Sequence, residues 1–269
     1  RGEIGSLSPW VFRNSLTNLK EVSALARYAV EELGLKRFAA LYPEHPEGIE
    51  LKDLFSQEVK SLGGEVLVEA AYPPGASDFG PQIRSLGGMD DEEIERIREL
   101  SPPGEDAEEK PLPKIDYEAI FIPGHFEQAA LIAPQLRFYN IADVTLLGGR
   151  GWNSPELIRI GERYVEGALF LDGFFAGSKR PKVMSFVKRF RESIGKDPDL
   201  LAAQAYDVTT MVLKAIINGA KTREEMREAL QGIRDFEGVT GRTTMDENGE
   251  AVKELFLLTV RQGRIVELE

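Results

Sequence analysis

The chain has 269 residues, 42% apolar and 29% charged, ample for one large or two modest packed domains. A formal charge of −12, from 45 Asp and Glu against 33 Lys and Arg, speaks against a nucleic-acid surface, because phosphate recognition needs clustered cations. The absence of Cys excludes disulfides, thiolate metal sites and cysteine nucleophiles, and says nothing about the redox compartment. No apolar run approaches the roughly 20 residues that span a bilayer. The first residues, Arg1 to Ser6, do not read as a signal peptide, so the chain is expected to be cytosolic or an excised or mature segment.

In chain order, Pro9 to Arg13 reads as a short extended segment before a helix that begins near Thr17. Leu19, Val22, Leu25, Ala26, Ala29, Val30 and Leu33 follow helical spacing, and Gly34 stands where a C-cap belongs. A strand, Arg37 to Tyr42, leads into the loop Pro43 to Gly48. A second helix carries the stripe Leu51, Leu54, Phe55, Val59 and Leu62 and stops at Gly63-Gly64. Glu65 to Tyr72 is the next strand, and Asp78 is suited to cap a short helix, Phe79 to Leu86. From Gly87 to Lys114 the pattern gives way to Asp, Glu, Pro and Gly. Too little apolar area lies there to offset ordering entropy, which predicts a solvated, mobile insertion that the fold does not need.

A βαβ unit follows, from Tyr117 to Asn153. Its first strand, Tyr117 to Ile122, ends in Pro123-Gly124-His125-Phe126, and its second, Val144 to Leu147, breaks into Gly148-Gly149-Arg150-Gly151-Trp152-Asn153. Parallel strands point their C-terminal ends the same way, so both loops belong at one sheet edge, where open α/β sheets bind ligands. Beyond it come a helix capped by Ser154-Pro155-Glu156, a strand from Glu166 to Phe175, and three helices, Pro181 to Ile194, Leu200 to Asn218 and Thr222 to Ile233. The tail is β-rich: Val239 to Met245, a turn at Asp246-Glu247-Asn248-Gly249, then Lys253 to Arg261 and Arg264 to Leu268.

The chemistry-bearing patterns mostly exclude. The two His, His45 and His125, lie in loops after strands, and neither HExxH spacing nor a His pair on one helix is present, so no metal site is expected. No Gly-x-Ser-x-Gly elbow exists, and Gly148 to Gly151 has neither the Walker spacing nor a GxGxxG pattern. Asp246 to Gly249 resembles the start of a calcium loop and is better read as a hairpin turn. No catalytic residues and no cofactor are expected. The sheet edge instead gathers Glu44, His45 and Glu47 with Gly124, His125 and Phe126 and with Arg150, Trp152 and Asn153. Such a lining suits a small polar or cationic ligand with a flat apolar part, and Arg150 keeps an anionic group open. Trp152 is expected to report ligand entry by its fluorescence.

Several segments, in order and spacing, carry a family resemblance. They are Phe38-Ala39-Ala40-Leu41-Tyr42-Pro43, Gly63-Gly64-Glu65-Val66, Asp78-Phe79, Tyr117-Glu118-Ala119-Ile120, Ala202-Ala203-Gln204-Ala205-Tyr206-Asp207 and Val239-Thr240-Gly241. Over nearly its whole length the chain resembles type I periplasmic binding proteins of the leucine/isoleucine/valine-binding group. Within that group, Gly151-Trp152-Asn153-Ser154-Pro155-Glu156-Leu157 and Tyr164-Val165-Glu166-Gly167 look most like the branch of lipoprotein activators of penicillin-binding proteins.

The resemblance implies an α/β fold of two lobes, with ligand held in the cleft between them and no enzymatic activity. It places a complete parallel-sheet lobe two at residues 14–172 plus 238–269 and the helical part of lobe one at 173–237. The family's opening half of lobe one has no counterpart, so the apolar faces of the helices at 181–194 and 200–218 are expected to need another surface. It adds Asp172, Phe174 and Tyr206 to the site. Where the family commonly has Asp-x-x-Tyr-Gly, this chain has Glu44-His45-Pro46-Glu47-Gly48, which argues against leucine, isoleucine or valine as ligand. The expected partners are a small polar ligand or amino acid with an ABC permease, or alternatively a peptidoglycan synthase. The expected location is the periplasm or an outer-membrane lipid anchor facing it.

Overall fold

A computed structural model describes residues 7–89 and 113–268. Most of the acidic insertion expected at 87–114 therefore lies outside the described residues. Backbone contacts divide the chain into two compact units: residues 1–21, 171–258 and 266–269 form unit 1, and residues 22–170 and 259–265 form unit 2. The stretch 238–258 thus groups with the three late helices and not with the larger α/β unit.

In unit 2, helix α1 (Asn18–Arg27) runs into a single π turn, Tyr28–Glu32, and Gly34 then takes a left-handed φ of +72°. Strand β1 (Arg37–Pro43) is followed by α2 (Pro46–Ser61), β2 (Glu65–Tyr72), α3 (Gly80–Leu86), β3 (Ala119–Phe121), α4 (Phe126–Phe138) and β4 (Thr145–Gly148). A 3-10 turn, Arg150–Trp152, leads to α5 (Pro155–Gly161), a second 3-10 turn, Glu162–Val165, and β5 (Leu169–Asp172), whose last two residues already count with unit 1. All four pairings along β2, β1, β3, β4 and β5 are parallel. The last strands, β9 (Phe256–Val260) and β10 (Ile265–Glu267), complete a seven-stranded sheet in the order β10-β9-β5-β4-β3-β1-β2.

The strands facing the core read as near-continuous apolar runs, as parallel strands covered on both faces must: Phe38 to Leu41 and Ala119 to Ile122 are fully buried or nearly so. The α2 stripe lands as its spacing predicts. Phe55 stacks on Phe121 at 4.2 Å between centroids and meets Phe38 edge-on at 5.5 Å.

Unit 1 holds α6 (Pro181–Ile194), α7 (Leu200–Ile217) and α8 (Arg223–Gln231), with a three-stranded antiparallel sheet of β6 (Phe236–Gly238), β7 (Gly241–Met245) and β8 (Ala251–Lys253). Asp199 caps α7 by accepting from the amide of Ala202, and Thr222 with Glu225 closes a capping box on α8. The strand expected over Lys253 to Arg261 is in fact two strands, broken at Glu254-Leu255, because its halves belong to different sheets.

The apolar faces of α6 and α7, expected to need another surface, are only partly covered, with Val208 and Ile216 left exposed. Val183, Phe186 and Val187 are buried, with Phe186 lying 6.0 Å from Phe174 and 4.7 Å from Tyr206, while Met211 joins Met245, Ala251 and Phe236 in a core cluster. What stays exposed is the opposite side of α7: Leu201, Val208, Leu213, Ile216 and Ile217. Among the described residues α7 alone is long and apolar enough to cross a membrane, by length and composition only.

α7 is anchored in unit 1 by a buried polar knot. Asp207 accepts from the amides of Val239 and Thr240, each at 2.8 Å, and from the Thr240 hydroxyl at 2.5 Å. Lys253 Nζ donates to the hydroxyls of Thr240 at 2.6 Å and Thr243 at 3.0 Å. Burial, partly opposed by the attraction of Asp207, lowers the Lys253 pKa to about 8 from 10.5. Between those two values the unfolded chain binds the extra proton, so this group makes stability rise with pH. Wild type is therefore expected to gain more thermal stability than Lys253→Met between pH 7.5 and 10. Parallel pH profiles in a melting series would contradict the assignment.

Candidate functional site

The C-terminal edge of the unit 2 sheet is where the predicted residues gather. β1, β3 and β4 are consecutive neighbours in register, Ala40 opposite Phe121 and Phe121 opposite Leu147, so the chain leaves all three at the same edge. The loop after β1 is shorter than expected, because Pro46 already occupies the first turn of α2, where its fixed φ and missing N–H do no harm. His45 is the N-cap: its Nδ1 accepts from the Gly48 amide at 3.0 Å. That contact puts the neutral ring's proton on Nε2, the nitrogen left for any ligand. Glu44 is tied down by its amide, which donates to the Tyr72 carbonyl at 2.7 Å. Its side chain and that of Glu47 are exposed.

The loops after β3 and β4 touch through their backbones. A Cβ on Gly151 would sit 2.5 Å from the Gly124 carbonyl oxygen and 3.2 Å from the His125 Cα, and Gly124 itself takes φ +126°. Glycine at both positions is what allows Gly124, His125 and Phe126 to lie against Arg150 to Asn153. His125 precedes α4 without a side-chain cap, so its 13-residue helix presents uncapped first-turn amides at this edge.

Two residues stand differently from the sequence reading. Trp152 is fully buried: its ring lies where a Gly148 side chain would be, 6.1 Å from Phe170, so it packs the base of the loop instead of forming an open wall. Its Nε1 has no hydrogen-bond partner. Tyr72, last residue of β2, was not anticipated. Its hydroxyl is buried and unpartnered, and a Gly124 Cβ would stand 3.7 Å from it. Burial pushes the Tyr72 pKa up, so the hydroxyl keeps its proton and stays a donor. The signal was an aromatic at the end of a parallel strand, just before Pro73-Pro74-Gly75.

Asp172, Phe174 and Tyr206 lie in unit 1. Phe174 and Tyr206 flank Phe186, and the Tyr206 hydroxyl accepts from Arg189 at 2.8 Å. Asp172 is buried and its Oδ1 accepts from the Gly173 amide at 2.6 Å. Among the described residues no cluster of three or more His, Asp or Glu could hold a metal ion.

A parallel sheet whose strands end in ligand-sized loops, in a chain that also carries a separate helical unit, defines the class. Residues 3–264 match the model of the periplasmic binding protein family, and the chain belongs to that family. Solved structures agree. A Rhodospirillum rubrum protein assigned to branched-chain amino acid ABC transport is 27% identical, with a TM-score of 0.83 over 100% of this chain and 70% of its own. A leucine-binding protein of Thermotoga maritima is 27% identical, with a TM-score of 0.69 over 98% and 69%. The Streptococcus pneumoniae branched-chain amino acid transporter substrate-binding protein, in complex with isoleucine, shares 22% identity and a TM-score of 0.66 over 100% and 70%, a likeness of fold. No curated protein matches. The chain thus has the mixed α/β architecture of the type I fold and spans about 70% of the length of these neighbours. None of the three is described as an activator of penicillin-binding proteins.

Proposed function

We propose that the chain is the non-enzymatic, extracytoplasmic solute-binding part of an ABC uptake system, and that its ligand is a small zwitterion of the amino-acid class. The observation that carries this reading is the edge of unit 2, where buried donors and exposed carboxylates occur together. Tyr72 and Trp152 hold unpartnered N–H and O–H groups beside Gly124 and Gly148, the first turn of α4 is uncapped, and Arg150 lies in the adjoining loop. These groups suit a carboxylate. Glu44 and Glu47, on the neighbouring loop, suit an ammonium. Asp172, Phe174 and Tyr206, all in unit 1, are candidate ligand contacts of that unit.

A branched aliphatic side chain is a poorer fit than a polar one, because the loop after β1 offers Glu44, His45 and Glu47 where the family has an aromatic. Calorimetric titration of the twenty amino acids is expected to find its tightest ligand among the polar or cationic ones, with Arg150→Ala weakening it at least tenfold. Tight binding of leucine, isoleucine or valine would show the ligand class to be wrong. Indifference to Arg150→Ala would remove that residue from the site.

A further inference from the structure

A second place for a ligand lies wholly in unit 1. Residues 8–11, one side of α8 and the turn between β7 and β8 enclose an open cavity of about 840 Å³, within the size range of small-molecule sites. Its apolar wall includes Pro9, Val11 and Met245, and its polar wall Arg227, Gln231 and Arg234.

The state of the charges decides what such a cavity can take. Arg234 is pinned by its Nη1, which donates to the carbonyls of Gln231 and Ile233 at 2.8 Å and Met245 at 3.1 Å. No carboxylate pairs with it among the described residues, so its charge is oriented without being neutralised. Arg227 meets one carboxylate there, that of Glu228 at 3.7 Å, a loose pair on an exposed, adjacent residue. Arg223 and Arg227, four residues apart on α8, share the ring of Trp10 at 4.3 and 5.7 Å from its centroid. Two like charges so placed repel each other, and the ring's negative face offsets part of that cost.

Of the two wall carboxylates, Asp246 is already engaged. Its Oδ1 accepts from the amides of Asn248 at 3.0 Å and Glu250 at 2.9 Å, and its Oδ2 lies 3.8 Å from Lys20. Glu247 is exposed. A chain of net charge −12 therefore has here a cavity edged by two guanidinium groups that lack matched carboxylates.

We propose that this cavity binds a small organic carboxylate, its anionic end held by Arg227 and Arg234 and its apolar body against Pro9, Val11 and Met245. A guanidinium fork matches a carboxylate in shape as well as charge, and the apolar wall selects against simple inorganic anions. The site is separate from the sheet edge of unit 2 and does not depend on the amino-acid reading above.

Calorimetric titration with phenylacetate, against its neutral amide phenylacetamide, tests it. Phenylacetate is expected to bind, phenylacetamide at least tenfold more weakly, and Arg227→Gln to weaken phenylacetate at least tenfold while leaving amino-acid binding unchanged. Because Arg227 supports no turn, its substitution spares the fold, which a melting curve checks. The same result is expected with residues 1–6 removed. Equal binding of acid and amide, or phenylacetate binding that is lost in Arg150→Ala and kept in Arg227→Gln, would overturn the proposal. Failure here leaves the amino-acid titration untouched, and failure of that titration leaves this one untouched.

Discussion

Asp207→Ala is expected to destabilise unit 1 by roughly 3 to 5 kcal/mol, since it strands two buried backbone amides, at on the order of 1 to 3 kcal/mol apiece, and removes a hydroxyl partner as well. The amides are those of Val239 and Thr240, and the carboxylate that serves them is 1% exposed, so water cannot substitute. Gly238 leaves room for that carboxylate, because a side chain there would collide with it. Lys253, linked through Thr240, would also lose a nearby compensating charge. Urea denaturation followed by circular dichroism measures the effect. A loss below about 1 kcal/mol would mean that the knot is not a structural anchor.

Phe55→Ala is expected to cost unit 2 a similar amount, about 3 to 5 kcal/mol, by transfer and cavity terms together. Phe55 is fully buried and its ring joins α2 to both β1 and β3, through Phe38 and Phe121. Those strands carry the loops of the candidate site, so ligand affinity should fall with stability. Phe55→Leu keeps most of the volume and should recover much of both. An unchanged denaturation midpoint in Phe55→Ala would contradict the packing described.

These two residues also show how much was legible in the sequence. Phe55 was readable, because helical spacing with Leu51 and Val59 is a local signal that only a packed face explains. Ala205-Tyr206-Asp207 and Val239-Thr240-Gly241 were visible as separate motifs, yet nothing local says that the carboxylate of one caps the amides of the other, 32 residues away. The strand near Lys253 was read as continuous because its pattern is continuous. The switch between sheets at Glu254 is a tertiary event. The loops of the site could be placed side by side from parallel topology alone, whereas the burial of Trp152 depends on Gly148 lying beneath its ring, and the role of Tyr72 on its nearness to Gly124.

The two orphaned donors beside the glycine loops also set a direction. Burial keeps the Tyr72 hydroxyl protonated well past the ordinary tyrosine range and an indole N–H never accepts, so both groups stay able to donate as pH changes. An ammonium toward Gly124 and Gly148 would find an acceptor only in the Tyr72 oxygen and would meet the Trp152 N–H donor against donor, while a carboxylate would accept from both.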